Sequence, residues 1–206
     1  MDINLHKLNL FPQHQVLLLD QDEIKVLAQA GAVSIENKYY SKEHGIFVHY
    51  PFIKKYFPEA KIMPLILKVG TPQVNLERLV AALVKLEPKK TLILASVDFT
   101  HYVGDEIALP NDQRTIAYFE EWSRDSLSLD LPTWRLDDFK KLAKTAKQND
   151  PEAVAIDSPE TLAVLLNYLN QELVSGFKLW KRSSTQSFIH VTDPDSNTSH
   201  IFGVFE

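Results

Sequence analysis

Cysteine is absent from all 206 residues, which removes disulfides, thiolate nucleophiles and Cys-ligated zinc from consideration. Glycine is scarce, six in all and none grouped, so no glycine-rich loop exists to cradle a phosphate. Neither a nucleophile elbow around serine nor a His-Glu-x-x-His run occurs. No apolar stretch approaches the roughly 20 residues that cross a bilayer. The opening Met-Asp-Ile-Asn-Leu-His-Lys lacks the basic start and apolar core of a signal peptide. Lys and Arg number 22 against 27 Asp and Glu, a net charge of −5. Without a basic tract, nucleic acid and anionic membrane are excluded as general partners. A cytoplasmic protein is the expectation.

What is present is an ordinary globular mixture, 45% hydrophobic and 24% charged, long enough for one domain over residues 1–206 with a substantial core. Asp20 precedes Glu23, Ile24, Leu27 and Ala28 as a helix cap, and Gly31 ends that helix. Ile46, Tyr50, Ile53 and Phe57 form one helical stripe, interrupted at Pro51. Lys61 to Val69 reads as a strand disturbed by Pro64, and Leu76 to Leu86 as an amphipathic helix. Thr91 to Val97 reads as a central strand covered by helices on both faces.

Gly104 to Asp112 reads as a loop, with Asn111 or Asp112 capping a helix to about Leu127 and a further helix over Leu136 to Ala146. Ser158-Pro159-Glu160 starts a helix that reaches about Val174. Phe177 to Trp180 and His200 to Phe205 pair as antiparallel strands, and polar Asp193 to Ser199 between them makes a surface turn. The succession predicts an α/β fold, a partly parallel central sheet flanked by helices.

Polar groups just beyond the carboxyl end of a parallel strand are the first place to look for chemistry. Asp98 and His101 stand there, able to act as an acid-base pair or as oxygen and nitrogen ligands of a metal, and equally as a helix cap and a core histidine. Glu43, His44 and His49 form a second cluster, whose plain alternative is a helix cap with two boundary histidines. Asp157 precedes Ser158-Pro159 and belongs either to that cap or to a site.

Two segments taken together carry a resemblance. Glu43-His44-Gly45-Ile46-Phe47-Val48-His49-Tyr50-Pro51-Phe52, followed by Lys61 to Leu67, resembles the "E-H-S-I-E-x-H-L-P-Y/F … K-I-V-P-I-L-V" passage of the Memo family, also called AmmeMemoRadiSam system protein B. Ala95 to Tyr102 resembles its "S-S-D-F-S/C-H-Y/W" passage, and Ile156 to Asn167 its "x-C-G-x-x-P-I-x-x-L-L-N" helix entry.

The resemblance implies a sandwich like that of the class III extradiol dioxygenases. It also implies a pocket lined by Glu43, His44, His49, Asp98 and His101, with His44, Asp98 and His101 as catalytic groups. Iron or another divalent metal is the implied cofactor, with His101 and Asp157 as ligands. The family's "P-H-A-G-Y" strand end and a further histidine-bearing strand have no counterpart here, and Asp157 replaces the family cysteine, a hard donor for a soft one. The chain reads as an N-terminally shortened relative, either a metal-binding or redox protein with an altered pocket or a scaffold that kept the fold and lost the metal site. A protein partner or a homodimer is expected.

Overall fold

The computed structural model describes residues 18–34, 43–86, 91–125, 156, 158–174, 176–190 and 192–206. The helix expected over Leu136 to Ala146 and the candidate ligand Asp157 lie outside them. Among the described residues the fold is mixed helix and strand, built around a layer of helices and a carboxyl-terminal hairpin.

Strand β1, Leu18–Leu19, leads into helix α1, Gln21–Gln29. As expected, the Asp20 carboxylate accepts a hydrogen bond from the amide of Glu23, and Gly31 follows the helix at φ +66°, a conformation glycine adopts without a Cβ clash. The Ile46–Phe57 stripe is split into α2, His44–Phe47, and α3, Tyr50–Tyr56. The break falls at Val48 and His49, just ahead of Pro51, because a proline is accommodated in a first helical turn where its missing N–H has no partner to lose.

Strand β2, Lys61–Ile62, pairs in parallel with β1, Leu18 opposite Lys61 and Leu19 opposite Ile62. Among the described residues parallel pairing stops there, so the expected central parallel sheet is reduced to this short pair. Pro64 has no N–H to extend it.

Helix α4, Gln73–Leu83, and helix α6, Pro159–Gln171, pack against each other and bring Leu76, Leu79, Val80 and Leu83 together with Leu162, Ala163, Leu166 and Leu169 in one core. Between them in sequence, helix α5 runs from Asp105 to Asp125. It begins well before the expected caps Asn111 and Asp112, which are fully buried inside it. Pro110 lies within the helix and costs the bond to the Glu106 carbonyl rather than ending it.

Strands β3, Phe177–Ser184, and β4, Ser199–Phe205, form the expected antiparallel hairpin, from Phe177 opposite Phe205 to Ser184 opposite Ser199, with an irregularity between Leu179 and Lys181. Helix α7, Thr185–Ile189, and a single turn at Pro194–Ser196 connect the strands. Phe177 and Phe205 close on Phe119 and Trp122 of α5, with ring centroids 4.9 to 5.8 Å apart. The end of the expected surface turn is not on the surface: Asn197 and Ser199 are buried.

Candidate functional site

Thr91 to Val97 was expected to be covered on both faces, and instead burial alternates residue by residue from 91 to 99. That period is the signature of an extended chain with one face covered and one bare. Ile93, Val97 and Phe99 pack on the core. Leu92, Leu94, Ser96 and Asp98 form the outward row, Leu92 79% and Leu94 57% exposed. The fully buried reading failed because an apolar run does not reveal how many layers are present to cover it.

Thr91 to Ser96 forms one wall of a cleft of about 500 Å³, and Lys61 to Leu67 forms the facing wall. Leu79 and Leu83 of α4 and Val164 and Leu165 of α6 supply the apolar floor. The rim is polar, with Asp20, Glu23, Glu43, His49 and Lys61.

Glu43 caps α2, its carboxylate accepting from the amide of Gly45 at 3.1 Å. The absence of a side chain at Gly45 lets the start of α2 approach the extended segment: a Cβ there would lie 3.3 Å from Glu43 Oε1 and 3.5 Å from Ser96 Oγ. One residue group further on, His49 Nε2 is 3.1 Å from Ser96 Oγ. Burial lowers the pKa of His49 from its ordinary 6.5, which favours the neutral imidazole at pH 7. Glu43, His49 and Ser96 thus form one polar patch in an otherwise apolar wall.

Of the other expected site residues, His44 lies beside Glu43, its Nδ1 3.8 Å from Glu43 Oε1, but its side chain is 74% exposed. Asp98 is exposed at the far end of the outward row. His101 Nδ1 lies 2.9 Å from the carbonyl oxygen of Phe99, and its ring stands edge-on to Tyr102 at 4.3 Å. None of these three lines the cleft. Among the described residues no three His, Asp or Glu side chains come together in a way that would hold a metal. The described residues therefore do not assemble the implied iron centre, and the expected ligand Asp157 lies outside them.

The loop bearing Asp98 and His101 is held from the hairpin side. Tyr102, at φ +61°, donates its amide to the Asn197 carbonyl at 2.8 Å, while Asn197 Nδ2 donates to the Val103 carbonyl at 2.8 Å. The amide of Ser199 donates to the Thr100 carbonyl at 2.7 Å. Beneath this, Arg182 donates to Asp112 at 2.7 Å and to Asp105 at 3.1 Å, and Ser199 and Ser184 donate to the same two carboxylates. Burial pushes the pKa of Asp112 up against the pull of Arg182 and Ser199. For Asp105 burial also raises the pKa, but hydrogen bonds from Ser184 and Arg182 and the guanidinium charge outweigh it and leave the carboxyl below its usual range.

Sequence reasoning missed Ser96 and this charged anchor. Ser96 could have been found by parity, two residues before Asp98 on the same face. Nothing local to Arg182 names partners 70 and 77 residues away.

The profile of the Memo-like protein family matches residues 15–170, most of the chain. The chain belongs to the Memo family. Among curated relatives, this Memo-family chain is similar to a MEMO1 family protein of Pyrobaculum aerophilum, 34% identical over 87 residues that cover 40% of this chain and 31% of the relative. It is similar to one of Methanosarcina barkeri, 31% identical over 140 residues, 65% of this chain and 50% of the relative. One of Sulfurisphaera tokodaii is 23% identical over 165 residues, 78% of this chain and 53% of the relative. The chain thus spans between about a third and about half of the length of the curated relatives it matches. No solved structure matches it. No described helix is long and apolar enough to cross a membrane.

Proposed function

We propose that this Memo-family chain is a binding module, whose cleft receives an apolar partner and whose Glu43, His49 and Ser96 read one polar feature of it. The observation that carries this reading is the cleft of about 500 Å³ with an apolar floor and a bare leucine row. Sites of that size and lining bury small ligands or segments of partner chains, with a few polar groups setting orientation. A metal-dependent or redox reaction needs a donor set that converges. Glu43 and His49 stand at the cleft, His44 lies 3.8 Å from Glu43 but does not line it, and Asp98 and His101 lie beyond it. Without a convergent third donor among the described residues, the 2-His-1-carboxylate arrangement of non-haem iron enzymes is not assembled from these groups.

Two measurements test this. Protein purified without chelator is expected to carry no stoichiometric metal and to show no saturable iron(II) or zinc(II) binding in calorimetry. Tight stoichiometric binding that disappears in Glu43→Gln or His49→Ala would overturn the reading in favour of a metal protein. An uncharged apolar dye such as Nile red is expected to bind and brighten in the wild-type protein and to lose that signal in Leu94→Lys.

A further inference from the structure

One wall of the cleft, Thr91 to Ser96, alternates in burial as extended chain does, and the facing wall is paired with β1 only at Lys61 and Ile62. Among the described residues, Met63 to Leu67 and Leu92 to Val97 exchange no backbone hydrogen bond with each other or with any neighbour. Backbone N–H and C=O groups are obligatory hydrogen-bonding groups, and a row of them along an extended segment is a template for another strand. Leu92 and Leu94 stand bare on the same row, where a neighbouring strand would bury them by cross-strand contact.

We infer that the cleft is an acceptor slot for one extended strand of a second polypeptide, apolar at alternate positions and basic at one end, which pairs through its backbone with Leu92 to Val97. This deepens the binding-module reading and rests on it. A small molecule could fill the volume, but it could not supply a periodic ladder of donors and acceptors to the extended wall from Leu92 to Val97. Alternate side chains of an inserted strand would meet Leu92 and Leu94 on one face and the α4 and α6 floor, Leu79, Leu83 and Leu165, on the other. The basic end follows from the rim, where Asp20, Glu23 and Glu43 outnumber Lys61.

The test uses the intact protein and a soluble peptide of alternating valine and threonine with lysines at one end. Its control is the same peptide N-methylated at alternate amides, which keeps the side chains and blocks one hydrogen-bonding edge. Binding is followed by fluorescence anisotropy and by hydrogen exchange. The expected result is that the unmodified peptide binds and slows exchange of the amides of residues 92–97, that N-methylation weakens binding about tenfold or more, and that Leu92→Lys with Leu94→Lys does the same. Because both leucines are exposed, that double variant is expected to keep its melting temperature.

Equal binding of the methylated peptide would overturn backbone pairing. Slow exchange of these amides in the peptide-free protein would also overturn it, since the slot would already be filled from within or by a second copy. If Nile red binds and neither peptide does, the strand is wrong and the binding module stands. If nothing binds, both readings fall.

Discussion

Arg182 holds two carboxylates at once, Asp112 at 2.7 Å in a fully buried position and Asp105 at 3.1 Å. A buried ion pair adds little over an apolar replacement, but removing one partner leaves the other charge stranded. Arg182→Met is therefore expected to cost about 3–5 kcal/mol in urea denaturation. Adding Asp112→Asn should recover part of that loss, and equal stability of the single variant and wild type would disprove the anchor. His49 gives a prediction of opposite character. Its folded pKa lies below the ordinary 6.5, so as pH falls through that value the unfolded chain takes up the proton first and stability declines. A His49→Asn variant lacks this titration, so the wild-type melting temperature should drop more than the variant's between pH 7 and pH 5. Both residues show how unevenly the site could be read: the pairing of His49 with Ser96 follows a local alternation, while Arg182 has no local signal at all.

Among the elements, the hairpin has a role that its sequence hides. Asp193 to Ser199 is polar enough to be a solvated turn, yet Asn197 is 1% exposed and bonds both to the Val103 carbonyl and to the amide of Gln186. It fixes the left-handed Tyr102 and with it the loop from Asp98 to Val103. Asn197→Ala leaves those backbone groups unpaired, an expected cost of about 1–3 kcal/mol. Exchange of the Gln186 amide, whose acceptor Asn197 Oδ1 is removed, should speed up well beyond the global effect. Unchanged exchange there would mean that the Asn197 side chain does not hold this connection. Caps and breaks were legible, as at Asp20, Gly31 and Pro51, because they depend on residues within one turn. The start of α5 was not, because the burial of Asn111 and Asp112 depends on Ser199 and Arg182 across the fold.

For the whole molecule, stability rests on α4, α6 and the aromatic ends of α5 and the hairpin. Leu166 is fully buried at the centre of that contact. Leu166→Ala should cost about 2–5 kcal/mol through lost transfer energy and a residual cavity, measured by chemical denaturation. A loss below half a kilocalorie per mole would show that α4 and α6 do not form the core.

The amino-acid sequence by itself determined family membership, the helices with local caps, the hairpin and the positions of the polar candidates, because these follow from short-range pattern. Only the tertiary structure decided that among the described residues parallel pairing is reduced to β1 and β2, that one face of residues 91–99 is bare, and that Asp98 and His101 stand apart from the Glu43–His49–Ser96 patch while His44 stays beside Glu43 but outside the cleft. Burial and convergence are properties of how many layers meet at a residue, and a single chain's periodicity does not count layers.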